Sequence, residues 1–292
     1  MSAHRKKPIV IAEIGGNHKG EFEIAKELVR MAKVFCGADV VKFQKRTVKE
    51  LLTSEEYNMP HPHPEHSYGE TYGKHREFLE FSAMQHAKLK KYCEEVGIDY
   101  STSVWDLTAA KEMTALKPKM LKIPSASNLC FDVLEYLCKN YKGEIHISLG
   151  MTTKEEEKKI VTFMTKHGRA KDTVLYACTS GYPVEFDDVC LLEIKRLVDL
   201  WGKKVKAIGF SGHHIGIAVD IAAHALGAEY IERHFTLDRD WKGTDHQASL
   251  APDGLHRLVR DLTATHKSLS HKRSQILPVE KVQRKKLKRV AK

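Results

Sequence analysis

The chain has 292 residues, 42% of them hydrophobic and 29% charged, which is the composition of a globular protein and the length of a single α/β barrel. No stretch approaches the roughly 20 consecutive apolar residues of a membrane-spanning helix, and the basic residues 1–7 lead only into a short run broken by Glu13, so neither a spanning segment nor a signal peptide is expected and the cytoplasm is the expected compartment. Seven of the residues at 281–292 are Lys or Arg; without them the net charge of +10 falls to about +3, and with no aromatic platform beside that run nucleic acid is not an expected partner.

In chain order, short β-branched runs alternate with longer helical patterns. The first run starts at Ile9 (IVIAEIG), with a helix over 21–35 and a glycine, Gly37, at its end. The second starts at Asp39 (DVVKFQ). After it, residues 46–76 show little apolar periodicity and crowd Pro60, Pro62 and Pro64 with His61, His63 and His66, which predicts an irregular lid. Prolines between those histidines impose extended geometry, which argues against a metal site there. The third run starts at Asp99 (DYSTSV), with a helix over 106–116, and the fourth at Met120 (MLKIPS). The fifth starts at Glu144 (EIHISLG); Thr153 before an acidic turn then predicts the N-cap of a helix over 154–167, ending at Gly168. The sixth (Thr173, TVLYACTS), seventh (Ala207, AIGFSGH, with a helix over 215–226) and eighth (Glu229, EYIERHFT) complete the series, and Gly97, Gly202 and Gly227 mark further helix ends. Eight β-then-α units predict a closed (β/α)8 TIM barrel over 1–270, with 271–292 as a basic tail or linker. The absence of GxGxxG after the first strand weakens an open doubly wound sheet. The six scattered cysteines, with no CxxC pair, predict reduced and mostly buried thiols.

Barrel active sites sit at the C-terminal ends of the strands. Those ends carry Glu13, Lys42, Gln44, Thr102, Lys122, Ser125, Ser148, Tyr182, Ser211, His213, His234 and, in the loop beyond, Asp245. Lys42 and Lys122 lie within apolar strands, where an ammonium needs an anionic partner. Singly, each reads as a structural salt bridge; together, in one register among several hydroxyls, they suit a phosphate and a carboxylate. His213 and His234 end adjacent strands and predict a divalent metal site with positions left for water and substrate.

The segments IAEIGGNHKG, GADVVKFQ, KIPSASN, HISLGMTT, CTSGYP, GFSGHH and ERHFTLDRDWKGTDHQASL, in this order from about Ile9 to Leu250, resemble the N-acetylneuraminate (sialic acid) synthase family. The resemblance implies an enzyme that condenses phosphoenolpyruvate with N-acetylmannosamine or a related N-acylated amino sugar, using Mn2+ or Mg2+ and releasing phosphate. It implies His213 and His234 as metal ligands, and Lys42, Thr102, Lys122, Ser125, Ser148 and Ser211 as phosphoenolpyruvate contacts. Gln44, Tyr182 and Asp245 would meet the sugar, with Asp245 and Glu13 as the catalytic carboxylates and Glu13 handling the proton. The family carries Asp where Gly212 stands and commonly Thr where His214 stands. It also continues into a small antifreeze-like domain that completes the partner subunit's sugar site, and Lys292 falls where that domain would begin; a homodimer is expected. Two further readings stand beside this one. One is a 3-deoxy-ulosonic acid synthase taking a phosphorylated sugar, with His61, His63, Lys74 and Arg76 as the extra basic groups. The other is a non-catalytic barrel acting as a binding protein.

Overall fold

A computed structural model describes residues 7–289; the expectations for residues 1–6 and 290–292 lie outside them. Eight parallel strands close into a barrel in sequence order: β1 (Ile9–Gly15), β2 (Val40–Lys45), β3 (Asp99–Val104), β4 (Met120–Ile123), β5 (Glu144–Ser148), β6 (Thr173–Cys178), β7 (Ala207–Gly212) and β8 (Tyr230–His234), with β8 pairing back onto β1. Every strand begins at the predicted residue or one beyond it. Among the described residues no helix is long and apolar enough to cross a membrane.

Alternation along each strand sets what faces where. Val10, Ala12 and Ile14 of β1, Val41 and Phe43 of β2, and Leu121 and Ile123 of β4 belong to the large core between sheet and helices. The intervening residues fill the lumen, where Ile11, Val40, Met120, Val174, Tyr176, Ala207 and Tyr230 form a separate cluster. Two residues further along the same strands stand Glu13, Lys42, Lys122 and Glu232.

The predicted helix over 21–35 is an α-helix, Phe22–Arg30, that widens into a π-turn, Met31–Phe35. Thr153 caps Lys154–Lys166 as expected: its hydroxyl accepts from Glu156 N at 3.2 Å and Glu156 Oε2 accepts from Thr153 N at 2.8 Å. Gly97 and Gly227 close helices in the left-handed conformation; Gly202 ends its helix in the right-handed one.

Two expectations, for the lid and for the cysteines, need correction. The segment after β2 is not irregular: it holds helices Val48–Leu51, Ser54–Asn58 and Tyr72–Leu79 and a 3-10 turn, Pro64–His66. These pieces are too short for a periodic apolar stripe; Thr53 caps Ser54–Asn58 and Thr71 caps Tyr72–Leu79. The basic tail contains an α-helix, Pro278–Leu287. The six cysteines are free, but Cys36 and Cys93 alone are fully buried; Cys130 and Cys190 are exposed.

Candidate active site

A cavity of about 680 Å³ opens at the C-terminal end of the barrel. Glu13, Lys42, Gln44, Lys122 and Ser211 reach it from strand ends, and Ser125, Ser148, Tyr182, His213, His234 and Asp245 from the ends and loops beyond. Thr102 is the exception among the predicted residues. It sits on β3 between two inward positions, is wholly buried on the helix side, and does not line the cavity. Its neighbour Ser103 does, and Ser103 Oγ accepts from Lys42 Nζ at 2.8 Å.

Across the mouth runs an alternating chain of charges. Gln44 Nε2 donates to Glu13 Oε1 at 2.9 Å, and the other Glu13 oxygen is in close ion-pair contact with Lys42. Lys42 Nζ lies 3.7 Å from Glu232 Oε1, which accepts from Lys122 Nζ at 2.5 Å and from Ser211 Oγ at 3.2 Å. All four ionised side chains are nearly inaccessible to solvent. Burial pushes the Glu232 carboxyl up, but the flanking Lys122 and Lys42 outweigh it and hold it at about 2. Burial pulls the Lys122 ammonium below its ordinary value, against Glu232. Glu232 is thus central, although its pairing joins residues 110 positions apart and leaves no mark in sequence.

Beside Lys122 lies a cradle of small groups. Gly150 N donates to Ser125 Oγ at 3.0 Å, and a Cβ on Gly150 would fall 2.4 Å from Ser180 Oγ and 2.7 Å from Ser125 Oγ. Only glycine leaves this space open. Ser148 Oγ finds no hydrogen-bond partner among the described residues. Lysines, hydroxyls and a space kept clear by glycine suit an anion.

The His213 and His234 rings lie 5.4 Å apart. Burial, then His234, lowers His213 to about 3, and its Nδ1 sits 3.0 Å from Thr179 O. It is therefore a neutral imidazole with the proton on Nδ1 and Nε2 free to coordinate. His234 Nδ1 has no hydrogen-bond partner among the described residues and lies 3.9 Å from Asp245 Oδ2. Among the described residues no three or more His, Cys, Asp or Glu side chains are grouped to hold a metal. The donors present fit a divalent ion that takes two imidazoles from the protein and the rest from water and substrate. Next to His213, Gly212 leaves room for the His214 ring, which a Cβ would meet at 2.9 Å. His214 faces away from the cavity toward Asp220 and Arg233.

The lid adds residues beyond the strand ends, among them His61, His63 and Arg76, the expected extra basic groups. His61, His63, His66, Arg46, Tyr72 and Arg76 all border the cavity. Tyr68 donates to Lys242 O, and Gly243 N donates to His66 Nδ1 at 3.4 Å, so the lid rests on the loop after β8. Asp245, in that loop, is pushed up by burial but brought below its ordinary value by His234, Arg76 and Arg46. The Tyr182 ring lies against His213, its centre 4.4 Å away and its plane tilted by 52°.

A model of the NeuB family matches residues 28–274. The chain is 39% identical to N-acetylneuraminate-9-phosphate synthase of Homo sapiens over 271 residues, covering 93% of this chain and 74% of that one. It is 32% identical to N,N'-diacetyllegionaminic acid synthase of Campylobacter jejuni, covering 90% and 78%. Its fold superposes with a TM-score of 0.80 and 25% identity on the N-acetylneuraminic acid (sialic acid) synthetase of Leptospira borgpetersenii, covering 98% of this chain and 94% of that chain. With the barrel closed, its mouth charged and its relatives named synthases, the chain belongs to the NeuB family.

Proposed function

We propose that this enzyme condenses phosphoenolpyruvate with an open-chain N-acylated amino sugar, N-acetylmannosamine or a close analogue, to give a nonulosonic acid and inorganic phosphate. The observation that carries the reading is the meeting, in one cavity, of the Glu13–Lys42–Glu232–Lys122 chain and seryl cradle with the His213–His234 pair.

In this reading C3 of phosphoenolpyruvate bonds to the aldehyde carbon, whose oxygen takes a proton. Water then adds at C2, and the C2–O bond to phosphate breaks. Lys42 and Lys122 hold the phosphoenolpyruvate anion and offset its charge, with Ser125, Ser148 and Ser211 orienting it. Glu13, in contact with Lys42 and Gln44, is placed to move the proton near the reacting carbons. Gln44, Tyr182 and Asp245 face the sugar. A divalent ion, Mn2+ or Mg2+, held by His213 and His234 would supply Lewis-acid polarisation of the aldehyde.

One observation favours a phosphorylated acceptor. Arg76, at the cavity edge, gives its Nε and Nη2 to Tyr72 Oη at 3.0 and 2.6 Å and has no carboxylate ion-pair partner among the described residues. With His61, His63 and His66 beside it, a phosphate at the sugar end far from the aldehyde would find a cation waiting. The human relative is named for a 9-phosphate product.

The test is phosphate release from phosphoenolpyruvate with Mn2+ across N-acyl hexosamines, free and 6-phosphorylated, with and without EDTA. Sugar-dependent, EDTA-sensitive release supports the synthase reading, and preference for the phosphorylated series supports the role given to Arg76. No release with any sugar from folded, metal-loaded protein overturns it.

A further inference from the structure

Tyr176 of β6 is fully buried in the barrel lumen and does not line the cavity. It meets the site through one neighbour: Lys122 Nζ stands over its ring, 4.5 Å from the centre. The ring is held from three other strands. His146 Nδ1 of β5 lies 2.7 Å from the Tyr176 hydroxyl, and His146 Nε2 lies 3.2 Å from Glu144 Oε2. Tyr230 of β8 donates to that same carboxylate oxygen at 2.9 Å, while Lys206 pairs with the other at 2.9 Å. On β7 the residue in register with Tyr176 is Gly209, where a Cβ would fall 2.6 Å from the ring.

An aliphatic side chain could fill this layer without a glycine opposite or a buried polar chain below. What the tyrosine adds is an aromatic face turned toward an ammonium. Burial draws Lys122 toward its neutral form, and its charge partner Glu232 would compete with an incoming anion for the same N–H groups. An aromatic face attracts the cation without occupying its side toward the cavity. We infer that Tyr176 is a positioning residue: its ring holds the Lys122 ammonium at the cavity floor, so anion affinity depends on a side chain that never touches the anion. The inference rests on the proposed function only in that Lys122 meets an anion.

Calorimetric binding of inorganic phosphate and of phosphoenolpyruvate to the full chain tests this without turnover, alongside KM for phosphoenolpyruvate and kcat. Tyr176→Leu is expected to weaken both ligands about 5- to 30-fold, and to raise KM by the same factor with kcat within about twofold. Tyr176→Phe keeps the ring and is expected to stay within about threefold. Tyr176→Met fills the space should the leucine variant fail to fold. A folded Tyr176→Leu or Tyr176→Met protein that binds phosphate as the parent does overturns the inference. So does a Tyr176→Phe loss equal to that of leucine, which would assign the effect to the His146 contact. Lys122→Met is the separate control: unchanged phosphate binding there would overturn the anion reading of the cavity itself.

Discussion

The two halves of the barrel lumen are built from the same strands and differ in kind. At the lower level Ile11, Val40, Met120 and Tyr230 close the floor. One inward step further, about 6.6 Å along each strand, the same strands present Glu13, Lys42, Lys122 and Glu232. Apart from Tyr176, whose ring meets Lys122, the floor is a packed core whose contribution is stability. The mouth is an ionised layer that burial would penalise were its charges not arranged in opposite pairs. A buried charge chain is weak evidence of stabilisation; its placement one layer above a sound core is better explained by what it binds.

The sharpest break between the halves should come at the mouth. Glu232→Gln leaves Lys42 and Lys122 close together without their shared counter-charge, and His234→Ala removes one of the two imidazoles proposed to hold the metal. Each is expected to lower kcat/KM about 100- to 1000-fold in the phosphate-release assay. His234→Ala should keep the parent's thermal midpoint, and a midpoint that collapses with activity would make that histidine a core residue. At the floor the opposite is expected. Met120→Ala should cost about 2–5 kcal/mol in denaturant unfolding while KM for phosphoenolpyruvate stays within about threefold; a large KM change would erase the distinction between the layers.

Acid should separate stability from the mouth in another way. Burial, with Arg46 second, holds His18 near 3, and burial, with Lys45 second, does the same for His86. Their folded values lie below the unfolded 6.5, so the unfolded chain takes up protons first. Stability is then full above about pH 6.5 and falls as pH drops toward 3, by about 1.4 kcal/mol per pH unit for each such imidazole. Urea unfolding at pH 7 and pH 5 measures this slope, and His86→Gln should reduce it by about half of the two-histidine total. An unchanged slope would remove His86 from the account. The smallest effect concerns β3: Ser103→Ala should raise KM for phosphoenolpyruvate about 3- to 10-fold through its lost contact with Lys42. Thr102→Val should change it less than about twofold. The reverse order would place Thr102 at the ligand.

The barrel was legible because each strand is a β-branched run between turn residues, and that signal is local. Eleven of the twelve proposed site residues reach the cavity because strand ends share one face of a barrel. Thr102 is the exception because strict alternation puts Ser101 and Ser103 inward and Thr102 out. Glu232 and Ser103 are legible as polar residues at strand ends, but their pairing with Lys122 and Lys42 across the barrel is not. The lid is legible as a segment, with His61, His63 and Arg76 as its basic groups, but its helices of four to eight residues carry no periodic stripe and are not.

Glu13, Lys42, Glu232 and Lys122 set two carboxylates against two ammoniums, so this chain is balanced within itself. An arriving phosphate ester therefore cannot simply neutralise waiting lysines; it exchanges with carboxylates that stay in place. The filled mouth carries surplus negative charge unless a cation or a proton arrives with the ester. Under the proposed function, ester and cation are then expected to recruit one another, each tightening the other's hold by the same factor, so that either alone would be a poor occupant.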